Sequence, residues 1–219
     1  MTSDVPRAAK DRVYDHVKEG ILLGDYPGGE LLSEGEVAAE LEVSRTPVRE
    51  AFLLLEAEGL MRLFPKRGAL VVPVSPDEVR DVMETRLMVE THAAARIAER
   101  GPEDDDLVIE LRTLCDRQEE ALARGDLAGF VEWDRALHHA IVARDGNAIL
   151  TRLHDSLSDR QRRMTGATVR RDPGVTRRFL DEHLDIVDAI AAGKPEQARD
   201  LLAAHIEAAW RGMERDGDS

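Results

Sequence analysis

Asp134 and His138 are the residues whose types and spacing most directly suggest chemistry in this sequence. They lie in a segment whose apolar residues recur at helical spacing and define a buried stripe: Leu127, Phe130, Val131, Leu137, Ile141 and Val142. Residues four apart project from the same side of a helix, so both polar groups are directed at the core. This spacing allows two side chains to bind one metal ion, whereas the neighbouring His139 points away.

Two further histidines lie on apolar faces of later helical segments. His183 and His205 each share a face with apolar residues: Leu180, Val187 and Ile190 for the first, and Leu201, Leu202 and Ala209 for the second. A single histidine in such a position is more often a hydrogen-bonded core residue, but three helices that each direct an imidazole inward favour a joint site. Three imidazoles and a carboxylate suit Zn²⁺, and these ligand types also permit Ni²⁺, Mn²⁺ or Fe²⁺.

A second chemical feature is a short helix with two arginines at its exposed start. Pro47 is tolerated only in a first helical turn, so the helix must begin at or just after Ser44 or Thr46. Arg45 and Arg49 project from it one turn apart, beside an apolar face formed by Val48, Ala51, Phe52 and Leu55. Arginine can bind guanine in the major groove, and the first turn attracts phosphate. The alternative is an ordinary surface helix, and the flanking segments decide between the two.

Those flanking segments predict a winged helix-turn-helix. Upstream, residues 13–23 and 33–41 have helical patterns, with Ser33 as a cap, and a tight turn at 42–43 follows. Downstream, Gly59 ends the recognition helix, and apolar segments at 60–64 and 69–72 enclose a basic tip. Three helices and a small β-hairpin wing are therefore expected in residues 1–73.

The amino-terminal motifs resemble the GntR family of bacterial transcription regulators over residues 10–73. They are LLSE (31–34), VAAEL (37–41), SRTPVREA (44–51) and EGL (58–60). The resemblance implies operator contacts by the recognition helix and the wing: Arg45, Thr46, Arg49, Arg67 and Gly68. Ser44 and Lys66 complete the expected interface, Lys66 through a phosphate. One departure is Gly35, where many relatives place an additional DNA-contacting arginine.

The composition is that of an ordinary soluble chain, with 219 residues, 42% hydrophobic and 34% charged, which is enough for two small domains. No apolar run reaches membrane-spanning length and no signal peptide is recognisable, so a cytoplasmic protein without membrane contact is expected.

The net charge is −14, but residues 44–67 contain five Lys or Arg against three Asp or Glu. The basic charge is thus concentrated in the recognition helix and the wing, and the acidic remainder of the chain should repel DNA. Non-specific DNA binding should therefore be weak, and dimerisation would be needed for affinity. The lone Cys115 is expected to be a small buried hydrophobe.

Residues 73–76 contain two prolines and mark the boundary between domains of residues 1–73 and 74–219. The remainder has helical periodicity, interrupted by breaks at 101–102, 125–126, 145–146, 166–174 and 193–195. Six helical segments are expected to begin near Ser75, Glu103, Leu127, Asn147, Val175 and Pro195. The predicted fold class is thus mostly α, a winged helix-turn-helix followed by a six-helix all-α bundle.

This second part resembles the FCD effector domain found in the FadR branch of the same family, over residues 75–213. The motifs that carry the resemblance are DRALH (134–138), EHLDIVDAI (182–190) and HI (205–206). The resemblance implies a dimerising bundle with a cavity for a small organic acid beside a metal. The residues that would hold the metal are Asp134, His138, His183 and His205.

Arg86 is the candidate for effector binding because it lies on the apolar stripe of its helix and resembles the arginine with which relatives clamp a ligand carboxylate. The alternative is an ion pair with Glu90, four residues on. The remaining histidines are expected to be structural or exposed: His16, His92, His139 and His154.

Together these features predict a ligand-responsive, sequence-specific DNA-binding transcription regulator rather than an enzyme. It would be a homodimer on double-stranded operator DNA, a repressor released by an organic acid bound at the metal. One alternative is a metal-dependent hydrolase of the HD-like helical type, suggested by the dipeptide His154-Asp155, but it leaves the first 73 residues unexplained. Another is a DNA-packing protein with a structural zinc, which leaves a buried Arg86 unexplained.

Overall fold

The computed structural model describes residues 8–101 and 105–214. Within these ranges the chain forms nine helices and three short strands, as expected for a winged helix-turn-helix followed by a helical bundle. The chain divides into two compact units, Met1–Val74 and Ser75–Ser219. No helix of the described ranges combines the length and the apolar character needed to cross a bilayer.

The first unit contains helices α1 (Ala9–Leu22), α2 (Glu34–Glu40) and α3 (Arg45–Ala57). The Ser33 hydroxyl caps α2 by accepting a hydrogen bond from the amide of Gly35 at 3.2 Å. Ser44 precedes α3, but its side chain makes no capping bond. The predicted apolar face of α3 is buried in the core of this unit: Val48, Ala51, Phe52 and Leu55.

The wing consists of strands β2 (Met61–Phe64) and β3 (Gly68–Val71), which pair antiparallel as expected. The sheet has a third strand, β1 (Leu31–Leu32), which pairs with the other edge of β3 and was not predicted. Two residues are too few to show strand periodicity, so only the fold could reveal β1. β3 is the central strand and therefore fixes how the wing is attached.

Gly68 lies at the start of β3 with a φ of 104°, a conformation that other residues rarely adopt. A Cβ atom at this position would collide with the backbone carbonyl oxygen of Leu32 in β1. The glycine is half-buried in the sheet. It thus allows β1 to approach β3 closely, whether or not it also contacts DNA.

Gly68→Ala should destabilise the first unit by about 2 kcal/mol, because the strained backbone and the collision with Leu32 act together. Gly59→Ala is the matched control, since Gly59 also has a positive φ but its Cβ would meet no atom within 4 Å. That change should cost about 1 kcal/mol. Both tyrosines of the chain are in this unit and both tryptophans in the other, so tyrosine fluorescence during urea unfolding follows the affected part. Equal losses of stability for Gly68→Ala and Gly59→Ala would contradict the close approach of β1 to Gly68.

The second unit is a bundle of six helices, α4 (Pro76–Glu99), α5 (Asp105–Ala123), α6 (Leu127–Arg144), α7 (Ala148–Arg171), α8 (Val175–Ala191) and α9 (Pro195–Glu214). The Ser75 hydroxyl caps α4 through the amide of Glu78 at 3.1 Å. α4 packs against α6, α7, α8 and α9, and α5 against α6 and α8. Of the helices that carry the candidate functional residues, α6, α8 and α9 therefore all contact α4.

Six helical segments were predicted here and six are found, with one boundary wrong. The break expected at residues 166–174 is shorter, because α7 continues through Gly166 to Arg171. Gly166 is buried in the helix, and the chain turns only at Asp172-Pro173-Gly174. A glycine inside a helix is tolerated where it packs against a neighbour, which the sequence pattern cannot show. The predicted start near Glu103 lies outside the described residues.

Candidate metal centre and nucleic-acid interface

The four predicted metal-binding residues come together inside the second unit. α6 contributes Asp134 and His138, α8 contributes His183, and α9 contributes His205. All four are buried, and each offers one ligand atom that lies within 4.8 Å of those of the others. The one-turn spacing on α6 and the packing of α6, α8 and α9 around a common interior bring these side chains together.

Each of the three imidazoles is held at Nδ1 by a side-chain oxygen from another helix. The distances are 2.7 Å from His138 to Glu90 Oε2, 2.7 Å from His183 to Gln118 Oε1 and 2.7 Å from His205 to Glu182 Oε2. An amide or carboxylate oxygen accepts a hydrogen, so Nδ1 of each ring carries the proton. The lone pairs are then on the three Nε2 atoms, the arrangement that an acceptor bonded to the opposite ring nitrogen imposes on a metal-binding histidine.

The atoms that face one another are all acceptors. His183 Nε2 lies 3.3 Å from His205 Nε2 and 3.6 Å from an oxygen of Asp134. His138 Nε2 is buried and has no hydrogen-bond partner in the described part of the chain. Lone pairs this close repel one another unless a cation or a proton lies between them. A buried set of three nitrogens and one carboxylate fits a divalent ion of the Zn²⁺ type.

Burial favours the neutral form of His183 and His205. It is the largest cause that lowers the pKa of His183 well below its usual range, and the nearby His205 and His138 lower it further. Burial also lowers the pKa of His205, although its bond to Glu182 acts in the opposite direction. Neutral imidazole is the form that binds metal ions. His183 and His205 are therefore in the protonation state required for metal binding at neutral pH.

Arg86 is buried beside this group and forms the ion pair with Glu90 that the sequence offered as the alternative to effector binding. Its Nε donates to Glu90 Oε1 at 2.7 Å, and the two side chains are 4% and 0% exposed. Burial alone would raise the pKa of the Glu90 carboxyl, but the charge of Arg86 and the bond from His138 hold it well below its usual range. Glu90 thus links the arginine directly to a member of the candidate metal centre.

His154 belongs to the same network, although the sequence singled it out only through the dipeptide His154-Asp155 of the hydrolase alternative. It is 2% exposed, and its Nε2 lies 3.2 Å from Glu90 Oε1. The other histidines set aside from the sequence have structural or exposed positions: His139 pairs with Asp155, His16 contacts Glu40, and His92 is exposed. The signal for His154 would have been its helical spacing from Gln161, another buried polar residue of α7.

Residues predicted to contact DNA lie on the surface of the first unit. Those at the start of α3 are exposed: Ser44, Arg45, Thr46 and Arg49. At the tip of the wing, Lys66 and Arg67 are exposed, and Lys66 has a φ of 64°. A Cβ atom on Gly35 would lie 3.3 Å from Nη2 of Arg45, so a larger residue at the start of α2 would crowd this arginine. The basic groups of helix and wing are therefore available to phosphate and base edges.

Comparisons with known proteins agree with this arrangement. The family model for bacterial regulatory proteins of the gntR family matches residues 9–71, and the FCD domain model matches residues 81–208. An HTH-type transcriptional regulator in an unstable DNA locus of Streptomyces ambofaciens is 33% identical over 95% of this chain and 86% of its own length. The gluconate operon transcriptional repressor of Bacillus licheniformis is 31% identical over 60% of this chain and 53% of its own.

Among solved structures, a GntR-type regulator from Rhodococcus sp. RHA1 has a TM-score of 0.71 and 27% identity, covering 94% of this chain and 98% of that one. None of these similarities supports the hydrolase alternative. A winged helix-turn-helix that matches the gntR model and a helical bundle that matches the FCD model thus occur together in this chain. The chain belongs to the GntR family of bacterial transcription regulators, with an FCD effector-binding domain.

Proposed function

We propose that this regulator is a cytoplasmic homodimer that represses transcription until a small organic acid binds beside a divalent metal ion. The observation that carries the proposal is the buried convergence of three Nε2 lone pairs and the Asp134 carboxylate. Zn²⁺ fits this ligand set best, with Ni²⁺, Mn²⁺ or Fe²⁺ as alternatives. No residue is assigned a catalytic role.

The residues of the metal centre would have distinct functions. The ion would be bound by Asp134, His138, His183 and His205. The side-chain oxygens that are hydrogen-bonded to the Nδ1 atoms of the three histidines would keep the rings oriented. A bound divalent ion supplies positive charge to which a carboxylate can coordinate. Arg86 would bind the same effector, because Glu90 occupies mainly the Nε side of its guanidinium while Nη1 lies 3.9 Å from the sulfur of Met83. The metal ion and the Arg86 guanidinium are both positively charged and would thus favour an anionic effector.

On DNA, the proposal assigns base contacts to α3 and backbone contacts to the wing. Ser44, Arg45, Thr46 and Arg49 would approach the major groove, and Lys66, Arg67 and Gly68 the flanking backbone and minor groove. A chain with a net charge of −14 has little attraction for DNA outside these groups. Two copies on a two-fold operator would supply the affinity that one copy lacks, and two relatives named as repressors support the direction of control.

Arg45→Ala should weaken operator binding by about 1–3 kcal/mol and relax base preference at one position of each half-site, as expected for a lost guanine contact. Lys66→Ala is the matched comparison, because a phosphate contact contributes equally on all sequences. It should weaken binding to specific and random duplexes alike and reduce the salt slope by about one. Fluorescence anisotropy on both duplexes across a salt series measures both effects. Identical behaviour of the two variants would contradict this division.

The effector proposal is tested by screening small carboxylic acids for a thermal shift that requires metal. An acid that binds beside the ion should raise the melting temperature of the metal-loaded protein and should have no effect after chelation. The same acid should release the protein from operator DNA in a gel-shift titration. A shift of equal size with and without metal would separate the effector from the metal centre and contradict the proposal.

A further inference from the structure

Gly35 occupies a position in α2 where the backbone does not require glycine. It is the second residue of the helix, and its φ lies outside the positive region that favours glycine over other residues. Its amide donates to the Ser33 hydroxyl, a bond that any residue except proline could make. Glycine is also a poorer helix former than every residue except proline. The local structure of α2 therefore gives no reason for a glycine at residue 35.

What the glycine provides is room for Arg45, the first residue of α3. A Cβ atom on Gly35 would lie 3.3 Å from Nη2 and 3.7 Å from Cζ of Arg45. The guanidinium thus lies against the backbone at the start of α2. Even a methyl group at residue 35 would require the guanidinium to move by a few tenths of an ångström. Gly35 therefore leaves open a space that the Arg45 side chain uses.

Space, rather than a polar partner, determines where this guanidinium lies. Arg45 is exposed, and it makes no hydrogen bond or ion pair with any residue in the described part of the chain. Its position can therefore change if a side chain on residue 35 enters the same space. All of its N–H groups remain available to a ligand.

The position of an arginine matters more for reading a base than for attracting DNA. A bidentate contact requires two N–H groups of the guanidinium to meet O6 and N7 of one guanine, so an arginine directed elsewhere loses this pair of bonds. The positive charge still attracts phosphate, and that attraction does not depend on sequence. Displacing the Arg45 guanidinium should thus reduce discrimination between bases more than it reduces affinity for DNA in general.

We propose that Gly35 is a specificity-determining residue of this regulator. Because it has no side chain, the Arg45 guanidinium can lie against α2, in the position from which it reads a base pair. Gly35 is a positioning residue, since it acts through Arg45. The inference rests on the proposed function, because it assumes that Arg45 contacts a base of the operator. Residues 35 and 45 together then set the preference at one base pair.

The test is selection of bound duplexes from a random-sequence library, which measures base preference without a known operator. Arg45→Ala should lose the preference at one position of each half-site by about ten-fold. Gly35→Val should lose it at the same position by about three-fold or more, because the branched side chain has one strongly preferred rotamer in a helix and cannot turn away. Gly35→Ala should show a smaller loss than Gly35→Val.

Two further measurements distinguish displacement of Arg45 from other effects. In the double variant of Gly35→Val and Arg45→Ala there is no guanidinium to displace, so its base preference should equal that of Arg45→Ala. Gly35→Val keeps the charge of Arg45, so its affinity for a random duplex should stay within about two-fold of the wild type and its salt slope should not change. Fluorescence anisotropy across a salt series measures both quantities.

Gly212→Val is the matched control, because Gly212 is a helical glycine of α9 whose Cβ would meet no atom within 4 Å. It should leave base preference unchanged. The Gly35 variants should unfold at no lower urea concentration than the wild type, since alanine and valine are better helix formers than glycine. A lower unfolding midpoint would mean that the fold itself needs glycine at residue 35 and would overturn the inference.

The outcomes separate this inference from the function on which it rests. Unchanged base preference in Gly35→Val, together with a loss in Arg45→Ala, would overturn the role of Gly35 and leave base reading by Arg45 intact. A loss in Gly35→Val at a different position, or one that adds to the loss in the double variant, would overturn it as well. Unchanged preference in Arg45→Ala would overturn both the inference and the base contact assigned to Arg45.

Discussion

Replacing His183 and His205 together by alanine is expected to abolish stoichiometric metal binding. The wild type should carry about one ion per chain, and the double variant should carry almost none, because half of the buried ligand set is lost. Metal present at a thousand times its Kd stabilises the folded state by about 4 kcal/mol, and the variant should lose that increment. Elemental analysis and thermal melts with and without chelator measure the two quantities.

His139→Ala is the control for this experiment. It removes a histidine adjacent to a proposed ligand but 38% exposed and paired with Asp155, so metal content should not change. Comparing the melting temperatures of wild type and double variant after chelation separates lost metal from lost packing. Unchanged metal content in the double variant would show that the four residues do not form the site.

The same experiment extends to control of DNA binding. His183 lies in the second unit and the recognition helix in the first, so His183→Ala leaves Arg45, Thr46 and Arg49 unaltered. Operator binding should survive at least in part, and release by the effector should be lost, because a ligand shifts an equilibrium only through its different affinities for the two states. A gel-shift titration with and without effector measures this. A full effector response in the variant would rule out the metal centre as the sensor.

Arg86→Met is expected to destabilise the second unit by about 3 kcal/mol or somewhat more. The change leaves the ionised, fully buried Glu90 without its cationic partner, and breaking a buried ion pair from one side is among the costliest single changes. The loss of stability should lie near the lower end of the roughly 3–5 kcal/mol typical of a broken buried ion pair, because His138 and His154 still contact the Glu90 carboxylate. Tryptophan fluorescence during urea unfolding reports on this unit, which contains both tryptophans.

Two further variants show whether the charge of Glu90 is the cause. Glu90→Gln added to Arg86→Met removes the stranded charge while keeping the side-chain shape, and should recover much of the lost stability. Arg80→Met removes an exposed arginine of the same helix, paired with Asp77 and Asp81, and should leave the unfolding midpoint unchanged. If Arg86→Met abolishes effector binding without any loss of stability, the pair with Glu90 does not form in solution.

The sequence determined the helices, the two strands of the wing and the buried faces of the helices that carry the candidate site residues. Helical spacing of apolar residues predicted α3 with its exposed arginines, the six segments of the bundle and the inward direction of Asp134, His138, His183 and His205. It could do so because a period of 3.6 residues is a local property, fixed by neighbours within two turns. For the same reason the ion pair of Arg86 with Glu90, one turn apart, could be anticipated as an alternative.

Only the tertiary structure decided what stands opposite each buried face. Glu90 of α4 contacts His138 of α6 and His154 of α7, which are 48 and 64 residues away in the chain. The strand β1 exists because β3 offers it an edge, and α7 continues through Gly166, which is buried in the fold. Such partners are set by packing between segments distant in the chain, and hydrophobic periodicity carries no information about which polar atoms will meet there or remain unpaired.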